Sequence, residues 1–474
     1  MNPFRALGYF KHRLLPGILG VSLLAGCASM SPDGGMTAVS ELTQARIGEP
    51  VRRMGTDQEA SEIAAEIDRL LATPLDMEAA VRVALLNNRD LQAEFSSLGI
   101  AEADLVQAGR LRNPSFSFSR LSGGGTKEIE RGFLFDLMGL LTMPARTEIE
   151  SRRFSLTQKR VAESALRLAS ETRKAYVSAI AARQSVSYME DVQVAAEAGA
   201  ELASRMADAG NFSRLRQQRE QLYLAGVKAQ LTRARQIQTD EEERLTRLLG
   251  FESSQRYRLL PRLPSPPDTP MEEGPLLQRA MDQRLDLMIA RQELDALAKN
   301  LGLSRTTRFI NVLEAGYLNS DATGEPDKRG YEIELSLPLF DWGQARTAKA
   351  EALYTQAMNR VAGLAVRARS EVRESYATYR SAHQLMQHHW DEVVPLRKRM
   401  SEETLLRYNG MLISVWELLA DSREQSASVN AAIQSLKDFW IADANLRMTL
   451  DGGSAGSMNM TENLALPVSG SGGH

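Results

Sequence analysis

The sequence of 474 residues contains a single cysteine, Cys27, which excludes an intrachain disulfide. Beyond it, no apolar run approaches the roughly 20 residues that a transmembrane helix needs. The formal net charge is −3, with acidic and basic residues interleaved, which argues against a nucleic-acid partner. The sequence also lacks a Gly-x-Ser-x-Gly motif, a P-loop and a dinucleotide-binding fingerprint. These absences disfavour an enzyme, and we expect no cofactor.

Metal ligands are sparse as well. His383, His388 and His389 are the histidines of the chain body, and no two of them are spaced i, i+4 on one helical face. A solvated helix face is therefore their expected environment. The 19 methionines form no clustered motif, so flexible core filling explains them better than soft-metal binding. We expect no metal site.

What the sequence does contain is a duplication at an offset of about 200 residues, far longer than a solenoid period. The stretch ALLNNRDL at 84–91 returns as AMDQRLDL at 280–287, and ETRKAY at 171–176 returns as EVRESY at 371–376. Each copy predicts the same order: a helix, two strands around a turn, a very long helix and a further helix. The predicted fold class is mainly α with a small β part.

The predicted long helices cover 144–209 and 343–409, and the first would be roughly 100 Å long. Pro144 suits a first turn, and Gly363 and Pro395 predict irregularities in the second long helix. Apolar residues seven apart predict a coiled-coil seam. Shorter helices are predicted around them, at 76–109, 215–249, 275–304 and 414–450.

Four segments break the helical period and alternate between polar and apolar residues. They are Pro114–Ser119, Arg131–Leu137, Phe309–Asn319 and Tyr331–Leu337, with turns at 122–126 and 321–327. Such strands fit a soluble sandwich or a membrane barrel, whose polar side faces a watery lumen. For the barrel, the predicted lumen residues are Ser115, Ser117, Glu332, Glu334 and Ser336.

A four-stranded sheet with free edges cannot sit in lipid, because unpaired backbone groups there cost several kcal/mol each. Other copies of the chain must therefore close the barrel. Two copies would give eight strands and an interior filled by side chains, whereas three would give twelve strands and a channel. The polar lumen face favours three.

The chain ends have their own signatures. Residues 1–26 read as an export signal, and Leu24-Ala25-Gly26-Cys27 resembles the bacterial lipobox, which makes Cys27 the predicted lipidation site. In that resemblance, Ala28 after the cysteine indicates the outer membrane. The remaining divisions are a leader at 27–72, a first repeat at 73–260, a Pro-rich junction at 261–273, a second repeat at 274–451 and a disordered Gly/Ser tail at 452–474.

Taken together, the motifs resemble the TolC-type outer-membrane factors, the exit ducts of tripartite efflux pumps. The resemblance is carried by the duplicated stretch at 84–91, by Gln107–Pro114 and by Leu337–Gly343. It implies a homotrimer with a twelve-stranded outer-membrane barrel over a periplasmic α-helical barrel. The implied partners are a periplasmic adaptor and an inner-membrane pump. Phe135–Pro144 resembles the subset that exports cations.

The two turns between long and short helices are the predicted adaptor-docking tips. Gly210 and Gly410 are expected to supply positive φ, and Phe212, Met411, Leu412 and Ile413 to offer exposed apolar contacts. The tips also include Asn211, Ser213 and Ser414. Contact with the adaptor is implied by the resemblance, and the alternative is that these residues only form turns.

Acidic residues just beyond the second tip suggest a gate. Glu417 and Asp421 lie i, i+4, and three copies would form acidic rings that favour cations. Arg423 is a candidate to pair with such a ring. The local sequence VWELLAD departs from the LDLLDA pattern of the family, and ordinary surface carboxylates are an equal alternative.

The leading functional hypothesis is a passive exit duct anchored through Cys27. The alternative is a coiled-coil lipoprotein that tethers the outer membrane without a pore, although a tether does not need alternating strands. An enzyme is the third and least favoured class.

Overall fold

The computed structural model describes residues 29–267, 269–307, 313–335 and 340–454. The first half contains α1 (Met36–Ile47), α2 (Asp57–Leu71), α3 (Met77–Asn87), α4 (Arg89–Ala108), β1 (Ser115–Gly123), β2 (Thr126–Asp136), α5 (Leu137–Asp208) and α6 (Arg214–Leu249). The second half contains α7 (Leu276–Gln283), α8 (Leu285–Thr306), β3 (Leu313–Ala322), β4 (Lys328–Leu335), α9 (Gln344–Gln387), a π-helical turn (His388–Val393), α10 (Val394–Asn409) and α11 (Val415–Asp451). The predicted fold class, mainly α with a small sheet, is confirmed.

The chain divides into two compact units. The sheet unit comprises residues 29–38 together with Phe95–Lys159 and Ile289–Ala362. The helical unit comprises Val39–Glu94, Arg160–Met288 and the described residues from Gly363 onward. Among the described residues, none of the helices combines the length and apolar character needed to cross a bilayer.

The helix before the strands is broken in each half, so the expected single helices at 76–109 and 275–304 are wrong. Asn88 and Arg284 are the break points, with ψ near the extended range at 121° and 125°. The side chain of Asn88 holds its break in place, because Oδ1 accepts from the Leu91 amide and Nδ2 donates to the Leu248 carbonyl. The breaks lie at equivalent places in the two halves, which extends the duplication from sequence to structure.

Arg284 at the second break is completely buried. It donates to Asp286 from Nε and from a terminal nitrogen, at 3.0 and 2.7 Å, and to Glu371 at 2.8 Å. Burial by itself lowers the pKa of Arg284, but the ion pairs with Asp286 and Glu371 outweigh burial and raise this pKa above its usual value. The break is therefore held by a buried charge network.

Both long helices differ from the prediction. Helix α5 begins at Leu137, so Pro144 lies inside it, and the expected first-turn position is wrong. Asp136 caps this earlier start, because its Oδ1 accepts from the Gly139 amide at 2.6 Å. Helix α9 continues through Gly363 without the expected irregularity. The π-helical turn directly precedes α10 and Pro395, where a proline cannot donate to the helical ladder, so the irregularity predicted at Pro395 is confirmed.

The leader contains two helices that the sequence analysis did not predict. Helix α2 starts with a reciprocal capping box between Thr56 and Glu59. Its Ile63 and Ile67 are buried in the core of the helical unit, the same hydrophobic cluster that contains Tyr176 and Leu245. This packing makes the second part of the leader an integral part of that core.

The core of the helical unit joins residues of both halves of the sequence. Tyr176 of α5 is fully buried and donates to the Leu75 carbonyl at 2.9 Å. Burial raises the pKa of the Tyr176 hydroxyl. Trp440 of α11 donates to the Pro264 carbonyl at 3.1 Å, which ties the Pro-rich junction to this core. The described residues of the junction form neither helix nor strand.

Candidate functional site

The strands form one four-stranded antiparallel sheet in the order β1-β2-β3-β4. Each half contributes a hairpin, and β2 pairs with β3 to join the two hairpins. The first hairpin turns at Gly124 and Gly125, whose φ angles of 60° and 85° are readily adopted only by glycine. The four predicted strands are present, but their bounds differ from the prediction. β1 continues to Gly123 and β2 begins at Thr126, so the first turn is shorter than predicted, and Leu137 begins α5. Residues 309–312, 336 and 337 of the predicted strands lie outside the described residues.

One face of the sheet carries an exposed row of aromatic residues, while the end of the same face nearest the turns carries the ion pair of Arg131 and Asp321. The register places Phe116, Phe133, Tyr317 and Tyr331 opposite one another across all four strands. Their exposed fractions are 57, 47, 49 and 84%. The rings of Phe116 and Phe133 lie 5.0 Å apart, and among the described residues nothing covers the row as a whole. Continuous aromatic surface on a sheet indicates an apolar environment outside it.

The other face is polar. Ser115 and Glu332 share a row, and Glu334 lies in the next row, opposite Glu314, which is itself opposite Asp136. Ser117 lies on the same face, two residues from Ser115 along β1. The predicted lumen residues within the described chain therefore share one face, whereas Ser336 lies outside the described residues. Sequence analysis missed Asp136 and Glu314, because only the strand register identifies their face.

The sheet has two open edges. Within the described residues, β1 pairs with β2 alone and β4 pairs with β3 alone. The outer backbone N–H and C=O groups of both edge strands are therefore available for pairing with another strand.

The first helix turn, residues 209–213, follows the end of α5. Gly210 has φ 78°, and the amide of Asn211 donates to the Met206 carbonyl at 2.9 Å, which closes the helix end. Ser213 caps the start of α6, because its hydroxyl oxygen accepts a hydrogen bond from the backbone amide of Arg216. The ring of Phe212 stacks on Trp416 at 4.3 Å, and Phe212 is half-buried. Its expected exposure is therefore wrong.

The second helix turn, residues 410–414, differs by one residue from the predicted arrangement. Gly410 has φ −78°, so the expected positive φ there is wrong. Met411 has φ 58° instead, and the amide of Leu412 donates to the Arg407 carbonyl at 2.8 Å. Met411 is thus the equivalent of Gly210, and Leu412 the equivalent of Asn211. A left-handed conformation costs a non-glycine residue roughly 1–2 kcal/mol.

Met411 and Leu412 are also the most exposed apolar residues of the turns, at 93 and 77%. Ile413 is half-buried, so its expected exposure is wrong, and Ser414 accepts from the Glu417 amide to start α11. The second turn therefore combines backbone strain with two apolar side chains in solvent. Strain of this kind tends to persist at functional positions.

The predicted gate residues are in different environments. Glu417 accepts from the Ser414 hydroxyl at 3.3 Å, and Asp421 accepts from the Ser401 hydroxyl at 2.6 Å. Arg423 pairs with Glu220 of α6 and lies 3.9 Å from the centre of the Tyr223 ring. Arg423 therefore joins α6 to α11 within one chain, and its pairing with an acidic ring of three copies stays a prediction.

The histidines do not all lie on a solvated face. His383 is buried, with Phe439 in an edge contact at 5.5 Å, so its predicted environment is wrong. His388 lies in the π-helical turn, 3.2 Å from Glu392. Within the described ranges, no three His, Cys, Asp or Glu side chains are grouped in a way that could hold a metal ion.

Comparisons with known proteins agree with this architecture. The cobalt-zinc-cadmium resistance protein CzcC of Cupriavidus metallidurans is 24% identical over 285 residues, which covers 60% of this chain and 67% of that protein. No protein-family model matches the chain.

Solved structures show the same fold at low identity. The structure of CusC, described in terms of folding and transmembrane channel formation, has a TM-score of 0.66 and 18% identity, and covers 80% of this chain and 92% of that one. The outer membrane protein VceC of Vibrio cholerae has a TM-score of 0.63 and 16% identity, covering 82 and 97%. The CmeC outer membrane channel of Campylobacter jejuni has a TM-score of 0.66 and 14% identity, and the match covers 89% of this chain and 93% of that one.

The architecture of this chain is therefore the fold shared by these solved structures, which include outer-membrane channels. The chain has the TolC-type fold that its duplicated motifs predicted.

Proposed function

We propose that the protein is the outer-membrane exit duct of a tripartite efflux system and works as a homotrimer. The observation that carries this proposal is the sheet: an exposed aromatic face, a polar opposite face and two open edges. An apolar outer face suits lipid, and a polar inner face suits water. Open edges in lipid are too costly to persist, so the sheet needs further strands on both sides.

Three copies meet this need. Three chains with four strands each give a closed barrel of twelve strands, which is wider than the eight-stranded barrels that side chains fill. Closure would pair β1 of one chain with β4 of its neighbour. The conduit is passive, and an inner-membrane pump supplies both the energy and most of the substrate selection.

The long helices support the same oligomer. Exposed apolar side chains follow helices of both halves in the helical unit: Leu215, Leu222 and Ile237 in the first half, and Leu385, Leu396 and Leu406 in the second. Two different apolar faces on one chain fit a head-to-tail ring, in which the first face of one copy covers the second face of the next. Such a ring of helices encloses the periplasmic part of the duct.

The experiment that tests the duct is ion conduction. The purified protein is expected to form discrete, long-lived conducting channels in planar lipid bilayers. A tether without a pore, the alternative from the sequence, would insert or bind without discrete conductance. Trimeric protein that never conducts would therefore contradict the duct and favour the tether.

The substrates are proposed to be metal cations. Asp136, Glu314, Glu332 and Glu334 place acidic groups on the inner face of the sheet, and the similarity to CzcC points to the same class of cargo. Acidic rings from Glu417 and Asp421 would add to this preference in the helical unit. The channel is therefore expected to be cation-selective, which the reversal potential across a salt gradient measures.

The second helix turn is proposed to dock a periplasmic adaptor. We expect Leu412→Asp to weaken adaptor binding by about tenfold or more, because it removes apolar contact and adds a charge that must be desolvated. Asn359→Asp is the control, since it adds the same charge at an exposed position of α9 outside both helix turns, and adaptor binding should not change. The measurement is binding of the purified adaptor, together with crosslinking from a photoreactive residue at 412.

Crosslinking also discriminates the docking geometry. A photoreactive residue at Leu412 is expected to capture the adaptor, and one at mid-helix Arg160 is not. Capture from position 160 alone would contradict docking at the tip. Because Phe212 is covered by Trp416, it is a weaker reporter than Leu412.

Anchoring through Cys27 is proposed from the lipobox alone, since Cys27 lies outside the described residues. Labelled fatty acid should enter the wild-type protein and be absent from Cys27→Ser. Because the barrel itself holds the chain in the membrane, Cys27→Ser is expected to keep part of the efflux activity. Labelling that persists in Cys27→Ser would contradict the lipoprotein assignment.

A further inference from the structure

The helical unit contains a cavity of about 240 Å³ whose polar lining is mainly basic. Four arginines line it: Arg46 of α1, Arg173 of α5, Arg279 of α7 and Arg447 of α11. The carboxylate in the lining is Asp451. Four arginines from four different helices in one cavity are unusual, because like charges in a confined space repel one another.

Three of the four arginines have carboxylate partners. Arg173 donates to Glu78 at 2.6 Å, Arg279 to Asp451 at 2.8 Å and Arg447 to Asp443 at 2.8 Å. The contact between Arg447 and Asp443 is made through Nε, so the terminal nitrogens of Arg447 remain for another acceptor. Four positive charges against three carboxylates leave the cluster with a surplus of one positive charge.

Arg46 accounts for this surplus. Its terminal nitrogens donate to the carbonyl oxygens of Leu42 and Gln283, at 3.1 and 3.0 Å, and it forms no ion pair with any described residue. Its Nε atom is buried and has no acceptor among them. Burial lowers the pKa of Arg46, and the nearby Arg279 lowers it further, while Asp451 acts in the opposite direction. The positive charge of Arg46 is therefore not balanced by a carboxylate among the described residues, and its guanidinium keeps a buried N–H group without an acceptor there.

We propose that this cavity binds an oxyanion of the phosphate class, with Arg46 as its principal ligand and Arg279 and Arg447 as further donors. Phosphate oxygens match guanidinium groups in geometry and charge, and they accept several hydrogen bonds at once. The bound anion would link α1 of the leader to α5, α7 and α11. The site is independent of the proposed duct, because it depends on neither the sheet nor the helix turns.

Calorimetric titration of the purified full-length protein with inorganic phosphate tests this site. At constant ionic strength in chloride, the wild type is expected to show saturable binding. Arg46→Met keeps the apolar stem but removes the charge and the donors, and it should weaken phosphate binding by about tenfold or more. Arg46→Lys keeps the charge without the planar group, and intermediate binding is expected.

Arg235→Met is the matched control. It removes an exposed arginine that pairs with Glu190 outside the cavity, and phosphate affinity should not change. A parallel titration with a short-chain phosphatidic acid distinguishes the sources, since only a lipid-headgroup site would prefer it over inorganic phosphate. Absence of saturable binding to both ligands, or equal binding by the wild type and Arg46→Met, would overturn the proposal.

Discussion

Arginine at Ile333 is expected to prevent assembly of the protein in the outer membrane, whereas arginine at the neighbouring Glu332 is expected to permit it. The two residues are consecutive on β4 and therefore lie on opposite faces of the sheet. Ile333 is opposite Ala315 on the aromatic face, and Glu332 is opposite Gly316 on the polar face. Ile333→Arg and Glu332→Arg introduce the same residue into the same strand. Comparing the two variants therefore tests which face of the sheet contacts lipid.

The expected difference comes from desolvation. An arginine on the lipid-facing side costs about 2–4 kcal/mol at the bilayer midplane and about 0–1 kcal/mol near the interfaces. In the proposed homotrimer every chain carries the substitution, so this cost is incurred in each copy. On the polar face the guanidinium remains in water, and replacing Glu332 makes the lumen more positive. Glu332→Arg should therefore assemble and conduct with reduced cation selectivity.

Membrane fractionation, native electrophoresis of the trimer and reversal potentials provide the readouts. The expected pattern is loss of the Ile333→Arg trimer from the outer membrane and a shifted reversal potential for Glu332→Arg. Normal assembly of Ile333→Arg together with failed assembly of Glu332→Arg would invert the assignment of the two faces. Equal behaviour of both variants would remove the argument for a lipid-facing aromatic surface.

Replacing Arg284 with methionine is expected to lower the free energy of unfolding of the helical unit by about 3–5 kcal/mol. Arg284 is completely buried and bonded to Asp286 and Glu371, whose side chains are 16 and 29% exposed. Its removal leaves two carboxylates close together with their common counter-ion gone, and methionine fills only part of the volume. The helix break at residue 284 also loses the interaction that fixes it.

The control for this substitution is Arg205→Met. Arg205 pairs with Glu201 on the surface, where the two side chains are 77 and 62% exposed, and such pairs contribute at most about 1 kcal/mol. Denaturant titration of the detergent-purified variants, followed by circular dichroism, compares the two effects. Similar small effects of both substitutions would show that the buried network does not stabilise the fold.

The strands and the helix turns show how much of the structure the sequence pattern predicts. Alternation predicted the four strands, because side chains in a strand point to opposite faces with a period of two. It did not assign Asp136 and Glu314 to the polar face with Glu334, since that requires the register between strands. Gly410 likewise predicted the second turn, but the positive φ that we expected there is found at Met411. The reason is that the hydrogen bond from the Leu412 amide to the Arg407 carbonyl sets where the helix closes.

Sequence by itself determined the duplication, the predominance of helix, the alternating strands and the resemblance to TolC-type channels, because all of these depend on local periodicity and motifs. Tertiary structure decided where each helix is interrupted and which charges meet. Asn88 and Arg284 break their helices because distant backbone and carboxylate groups hold them extended. Arg423 pairs with Glu220, about 200 residues away, and Phe212 is covered by Trp416. Such contacts depend on packing between segments far apart in the chain, for which the local sequence contains no signal.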